Sequence, residues 1–287
     1  MASKLVRLAV VALTFAGVAV AAAPTASAAP SSGFNNWSCR PSASHPQPLL
    51  LLHGLGGNGP GNYATLGPYL ASLGYCAYSP TYGEEFPPFP VGGLVSIEQS
   101  SSQEITGVLD HILAATGAAK VDIVGHSEGG FQSLYIPKVR HYADKVARVV
   151  ALAPPSHGTT FAGLVNIADL LGIRAQVDFV LNTFGCPACD ELITGGSAVT
   201  ALNNGPIAQP GVDYTIIASR SDELVTPTST AFVNEPGVHN EYVQDSCPAD
   251  PVGHVGLAFD LDVSQLVANA LDPAHAGPVT CSFGAPL

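Results

Sequence analysis

An α/β fold, with a mostly parallel sheet covered on both faces by helices, is what this sequence predicts. Short apolar runs read as strands buried on both sides, as in Leu49-Leu50-Leu51-Leu52 and Val146 to Leu152. They alternate with segments whose apolar residues fall on a helical period, most clearly Ile97, Ile105, Val108, Leu109, Ile112 and Leu113. The chain holds no internal repeat, and no Pro/Ser-rich linker is long enough to divide it into domains.

The first residues stand outside that pattern. Lys4 and Arg7 precede an apolar run from Leu8 to Ala23, and Thr25-Ala26-Ser27-Ala28 supplies the small residues a signal peptidase cuts. Residues 1–28 are therefore expected to be a signal peptide, and residues 29–287 a single exported domain of about 259 residues. The apolar run is too short, and too soon followed by Pro24, for a membrane span. Without Lys4 and Arg7 the mature chain carries 8 basic against 22 acidic residues, a net charge of about −14. Nucleic acid and anionic membrane are excluded as expected partners by that sign, and the mature form is expected to be a monomer. With charged residues at only 11%, the surface is mildly polar and tolerates contact with apolar matter.

Six cysteines lie beyond the cut, namely Cys39, Cys76, Cys186, Cys189, Cys247 and Cys281. An even count in an exported chain reads as disulfides, with several pairings open. Cys186-Pro187-Ala188-Cys189 has the spacing of a redox motif but no buried strand before it, so a tight local bridge is expected there.

The elements follow in order. After the strand Leu49 to Leu52, closed by His53-Gly54, a Gly-rich loop leads to a helix over about Tyr63 to Leu73. Tyr75 to Tyr78 is a short strand stopped by Pro80, and the long helical pattern runs from Ser96 to Thr116. Val121 to Val124 is the next strand, with a helix from Glu128 to about Tyr135 behind it. From Pro154-Pro155 to about Pro210 the alternation lapses, although Phe161, Leu164, Val165, Ala168 and Leu171 form an apolar helical face. Tyr214 to Ala218 and Glu241 to Val243 resume the strands, and a helix over about Gly256 to Ala270 closes the domain.

Parallel sheets place their chemistry at the carboxyl ends of the strands. There Gly125-His126-Ser127-Glu128-Gly129 sits between a strand and a helix, which is the context a Gly-x-Ser-x-Gly motif needs before it means anything. The turn is so tight that side chains at 125 and 129 would collide with neighbouring backbone. Ser127 is thereby presented as a nucleophile, with the helix N-terminus beside it favouring negative charge. A serine hydroxyl needs a base, and the base an acid, arriving in the chain order serine, acid, histidine. Asp222 falls at the carboxyl end of the strand Tyr214 to Ala218; Glu223 is its nearest rival, and Asp213 precedes the strand at the wrong end. For the base, His254 lies in the Gly-flanked loop Val252-Gly253-His254-Val255-Gly256, whereas His239 precedes a strand and His275 lies past the closing helix. Two backbone amides are expected to form an oxyanion hole, those of Glu128 and Leu55; Gly54, Gly56 and Gly57 let the second loop approach a substrate. That loop lacks the Gly-Lys-Ser/Thr ending of a phosphate cradle and the spacing of a dinucleotide fingerprint. No cofactor is expected, and no His/Asp/Glu spacing indicates a metal.

The stretches "LLLLHGLGGNGPGNY", "GYCAYSP", "VDIVGHSEGG", "ALAPPSHGTTFAG", "IIASRSDELVTPT" and "PVGHVGLAFD" resemble, in order and over nearly the whole mature chain, the secreted bacterial triacylglycerol lipases of the class 2 lipase family. These belong to the α/β-hydrolase superfamily, and more distantly the chain looks like the yeast lipase B type. The resemblance implies the α/β-hydrolase fold, Ser127 as nucleophile, Asp222 as acid, His254 as base, and Leu55 with Glu128 as oxyanion donors. It also implies disulfides Cys39–Cys76 and Cys247–Cys281. One departure is Glu128, where the yeast type has Gln. The implied activity is that of an exported serine ester hydrolase, most simply a triacylglycerol lipase meeting its ester substrate at an oil–water surface. A small-ester esterase, a cutinase-like polyester hydrolase or an acyltransferase would use the same residues, and a silent binding scaffold would keep the fold alone. The irregular segment 157–205 is expected to roof the site as a cap or lid, with Phe161, Leu164 and Val165 lining an acyl pocket beside Leu170 and Leu171.

Overall fold

In the computed structural model of the protein, residues 33–84, 91–160 and 185–287 are described. The predicted signal peptide, residues 1–28, lies outside the described residues, as do Phe161, Leu164, Val165, Leu170 and Leu171. Six strands form one all-parallel sheet in the order β2-β1-β3-β4-β5-β6, comprising β1 (Leu49–Leu52), β2 (Ala77–Tyr78), β3 (Val121–His126), β4 (Val146–Leu152), β5 (Asp213–Ala218) and β6 (Val238–Tyr242). Strand order turns back between β1 and β3, so the chain leaves these neighbours on opposite sides and opens a crevice at their carboxyl ends.

The apolar runs serve both faces of this sheet. Leu50, Leu52, Ile123, Val149, Ala151 and Ile216 point into one core, where Ile105, Leu109 and Ile112 meet them from the long helical segment. Leu49, Leu51, Val124, Val150 and Ile217 point into the other, against Leu66 and Leu70 of α2 (Leu66–Ser72) and Val263, Leu266 and Val267 near the C-terminus. The α2 helix is preceded by one turn, α1 (Gly59–Asn62), capped by Asn58. The long pattern Ser96 to Thr116 is one continuous helix built of α3 (Ile97–Gln99), a π-helical stretch (Ser100–Ile105) and α4 (Thr106–Thr116), ended by Gly117 at φ 72°. After β3 comes α5 (Glu128–Val139), buried along most of its length. Two short helices, α6 (Pro187–Leu192) and α7 (Ser197–Leu202), lie in the described part of the region expected to form a cap.

Several boundaries differ from the sequence reading, and two of them bear on the last strand and the closing helix. The last strand begins at Val238 rather than Glu241, so His239 lies within β6, opposite Thr215, with its side chain 65% exposed. On the sheet edge every residue of β6 is half-buried except the exposed His239, and its pairing is a backbone matter that no apolar run announces. The closing helix α9 (Leu261–Leu271) starts after a separate 3₁₀ turn, Gly256–Ala258, because Asp260 caps it by accepting from the amides of Asp262 and Val263. Between β6 and that turn stands a single short helix, α8 (Val243–Ser246).

Disulfides join Cys39 to Cys76, Cys186 to Cys189 and Cys247 to Cys281. The third ties the C-terminal tail to the end of α8, across a sequence separation of 34. Beyond the bridge the tail pairs with the loop that carries His254, the amides of Gly253 and Gly256 donating to the carbonyls of Ala285 and Leu287. Replacing both Cys247 and Cys281 with serine is expected to lower stability by about 3–4 kcal/mol, from the entropy an open loop of that length returns to the unfolded chain. Denaturant unfolding against the parent protein reads the loss.

Candidate active site

The bend after β3 puts Ser127 at φ 58° and ψ −119°, a conformation in which side chains are rarely found. The reason is local crowding. A Cβ on Gly129 would stand against the carbonyls of Leu52 and His53, and one on Gly125 against the carbonyl of Gly129, so β1, β3 and α5 come together as closely as glycine permits. The Ser127 amide donates to the Leu152 carbonyl at 2.8 Å, and this fixes the bend to β4. Side chain 127 is thus aimed into the crevice at the strand ends.

Two side chains from far downstream reach it. His254 Nε2 lies 2.8 Å from Ser127 Oγ, and His254 Nδ1 lies 2.7 Å from Asp222 Oδ2. A carboxylate only accepts, so Nδ1 carries the ring proton and Nε2 is left free to accept from the serine hydroxyl. Asp222 Oδ1 takes the amides of Leu224 and Val225 at 2.8 and 2.9 Å, which turns the other oxygen toward the imidazole. Both partners are withdrawn from solvent, Asp222 to 6% and His254 to 2% exposure. The rival residues lie elsewhere. Asp213 opens β5 at the opposite end of the sheet, His239 pairs along the edge, and His275 bonds Asp272 on the surface.

The two amides expected to serve as oxyanion donors flank the same crevice. Glu128 is the first residue of α5, and Leu55 follows Gly54, at which a Cβ would come within 3.1 Å of Ser127 Cβ. Neither amide takes an intramolecular hydrogen bond among the described residues. Gly93 stands between them: a Cβ there would lie 3.2 Å from both Leu55 Cα and Glu128 Oε2. Two amides free to donate, next to a hydroxyl bonded to an imidazole, can stabilise an anion growing on a substrate carbonyl oxygen.

Some members of the site carried no sequence signal. His126, the residue before Ser127, is buried; its Nε2 donates to the His254 carbonyl at 2.9 Å, and its Nδ1 lies 3.1 Å from the Asn62 side-chain oxygen. Burial first, then the nearby His254, pushes its pKa down to about 3, so this ring stays neutral and anchors the base loop from beneath. His53 is likewise neutral: burial lowers its pKa to about 4, and its ring stacks on Tyr82 with centroids 4.2 Å apart. A histidine bonded to main chain 29 or 128 positions away looks in sequence like any other.

Away from the crevice, Asp250, Asp260 and Asp262 each bring a carboxylate oxygen within 4.8 Å of the others, all three side chains being buried. These are the residues among those described that can hold a cation, and only the fold assembles them. Cys247 and Cys281, also near Asp262, are joined in their disulfide.

Known proteins share parts of this chain's sequence and fold. A family model described as alpha/beta hydrolase fold matches residues 47–178. A triacylglycerol lipase of Burkholderia plantarii is 28% identical over 200 residues, which cover 68% of this chain and 51% of that lipase. One of Pseudarthrobacter phenanthrenivorans is 29% identical over 168 residues, covering 56% and 51%. The chain thus spans about half the length of these curated relatives. Among solved structures, Aspergillus fumigatus lipase B aligns with a TM-score of 0.61 at 19% identity, over 84% of this chain and 57% of that one. A pyrethroid hydrolase of Sphingobium faniae JZ-2 aligns with a TM-score of 0.51, also at 19% identity, over 79% and 98%. Both structural likenesses speak for the fold. The matched core and the curated lipases, on that fold, support a distant, lipase-like α/β hydrolase.

Proposed function

We propose that the protein is an exported carboxylic-ester hydrolase, a triacylglycerol lipase in its simplest form, working through Ser127, His254 and Asp222. The observation that carries the reading is the run of contacts from Ser127 Oγ to His254 Nε2 at 2.8 Å and from His254 Nδ1 to Asp222 Oδ2 at 2.7 Å. In the first half-reaction Ser127 Oγ attacks the ester carbonyl while His254 Nε2 takes its proton. The amides of Leu55 and Glu128 hold the oxyanion of the tetrahedral intermediate. His254 returns the proton to the leaving alcohol, and the carbonyl re-forms as an acyl-serine. Water, deprotonated by the same imidazole, then attacks that acyl group and releases the acid. Asp222 holds the ring in the required tautomer and stabilises its positive form between these steps.

Export rests on the basic, apolar and small-residue order of residues 1–28 and on three disulfides, which persist outside the cytoplasm. Residues 29–287 would then act as one catalytic domain, with 157–205 as its cap. The reading of an acyl pocket rests on the apolar stretch containing Phe161, Leu164 and Val165. A panel of p-nitrophenyl esters from acetate to palmitate, with emulsified triolein beside it, tests the reading. Turnover that rises with chain length and with the emulsion surface supports a lipase. Preference for acetate with indifference to emulsions makes it a small-ester esterase, and product analysis with a competing alcohol separates hydrolysis from acyl transfer. No turnover of any ester, with Ser127 refusing a fluorophosphonate label, would overturn the proposal.

A further inference from the structure

The side chain of Glu128 is fully buried beneath the site, yet no lysine or arginine pairs with it among the described residues. Its neighbours leave a deficit of protons. The Tyr82 hydroxyl lies 2.6 Å from Glu128 Oε2 and 2.7 Å from the His53 carbonyl. A phenol has one proton, and a carbonyl and a carboxylate both only accept. Were Glu128 ionised, one of these short contacts would bring lone pair against lone pair. A proton on Oε2 satisfies both contacts: Oε2–H donates to Tyr82, and Tyr82 donates to His53. Glu128 Oε1 is meanwhile free to accept from Gln132 Nε2, at 3.0 Å.

We infer that Glu128 works as a neutral carboxylic acid and is a positioning residue for the oxyanion hole. Through Tyr82 it clamps the His53-Gly54-Leu55 loop onto the start of α5. The relay joins the two elements that carry the proposed donors, since His53 lies two residues before Leu55, and Glu128 bears the other amide itself. Tyr82 reinforces the clamp: its amide donates to His53 Nε2 at 3.2 Å, and its ring stacks on the imidazole. A Cβ at Gly93 would crowd both the acid oxygen and Leu55 Cα at 3.2 Å, so the lack of a side chain there leaves the two close together. A protonated Glu offers the donor and acceptor pair of a Gln amide, so this chain keeps the clamp that an uncharged residue would give and adds a proton that can be lost.

A pH dependence follows, set by the groups that face Glu128. Burial pushes its carboxyl up to about 8, against the hydrogen bonds from Tyr82 and Gln132, and Glu104 on the π-helical stretch adds to the rise. Glu104 itself accepts from the Gly83 amide. Tyr82 and Tyr63 are both pushed well above the usual phenol range by burial, and His53 is held neutral, so these three keep one charge state as Glu128 titrates. Ionisation breaks the relay and puts a negative charge beside the amides meant to hold an anion.

The kinetic arm of the test rests on the ester-hydrolase reading, and the spectroscopic and stability arms do not. Infrared difference spectra of the full protein, wild type minus E128Q, are expected to contain a protonated-carboxyl band at pH 6 that is lost on titration through about pH 8. On an ester that the wild type turns over, kcat is expected to fall about tenfold per pH unit beyond that point, and E128Q, whatever its absolute rate, has no such limb. The folded acid holds its proton above the unfolded value of 4.5, so wild-type stability relative to E128Q is expected to drop as pH rises from about 4.5 to about 8. Y82F supplies a second variant should E128Q fail to fold: it removes the acceptor of the Glu128 proton, shifts the band, and lowers kcat and kcat/KM together with little change in KM. An ionised Glu128 at pH 6, or the same alkaline limb in wild type and E128Q, would overturn the inference. A protein that hydrolyses no ester but has the band loses only the proposed function.

Discussion

Ser127→Ala is expected to lower kcat on a soluble ester by on the order of a millionfold, the cost of deleting the nucleophile in other serine triads. The size follows from how the remaining groups act. Without the Oγ, His254 has no proton to take, and the free amides of Leu55 and Glu128 have no tetrahedral intermediate to bind. Residual rate then comes only from substrate binding and general polarisation of the carbonyl. Melting temperature should move by a few degrees at most, because Ser127 Oγ contacts His254 but packs no core. Turnover of p-nitrophenyl butyrate and fluorophosphonate labelling of parent and variant check this. A variant within a hundredfold of the parent would mean that the chemistry lies elsewhere.

Asp222→Asn is expected to cost about 10⁴-fold in kcat at neutral pH with KM nearly unchanged. The substitution preserves shape. Asn Oδ1 would still accept from the amides of Leu224 and Val225, which hold Asp222 Oδ1 now. That leaves the Nδ2 amide nitrogen facing His254 Nδ1. An amide NH2 only donates, so the imidazole would turn its acceptor nitrogen toward residue 222 and carry its proton on Nε2, against Ser127. A base already protonated on the working nitrogen cannot take the serine proton. The loss is thus of tautomer rather than geometry, and partial rescue at high pH, where a serine alkoxide forms without the imidazole, would mark it as such.

Much of this site is written in the local chain. Leu49 to Leu52 is apolar throughout, and Val121 to Val124 and Val146 to Leu152 are apolar apart from Asp122 and Arg148, because both faces of a parallel strand are covered, and that pattern is visible without coordinates. Gly125 and Gly129 announce the crowded bend, since the contacts that forbid a Cβ there come from the next turn of the same motif and from β1. Asp222 and His254 were legible through position, one at the carboxyl end of a strand and the other in a Gly-flanked loop before a helix. The start of β6 was not, because Val238-His239-Asn240-Glu241-Tyr242 is an edge strand held by backbone pairing. Nor was the relay from Glu128 through Tyr82 to His53. Those residues lie 46 and 29 positions apart, and each is unremarkable in its own window. The same is true of His126, whose bond to the carbonyl of His254 spans 128 positions. Periodicity and motifs report what neighbours in sequence do together; buried polar networks are agreements between distant neighbours, and only the fold introduces them.

The backbone at position 127 also acts as a filter on what could ever replace its side chain. At φ 58° a residue branched at Cβ collides with its own main chain, whereas an unbranched one is tolerated under strain. A thiol passes that filter and a secondary alcohol does not. Evolutionary drift at this bend is thereby channelled toward cysteine and away from threonine, and the choice of reactive atom is narrowed by a torsion angle before any chemistry is tried.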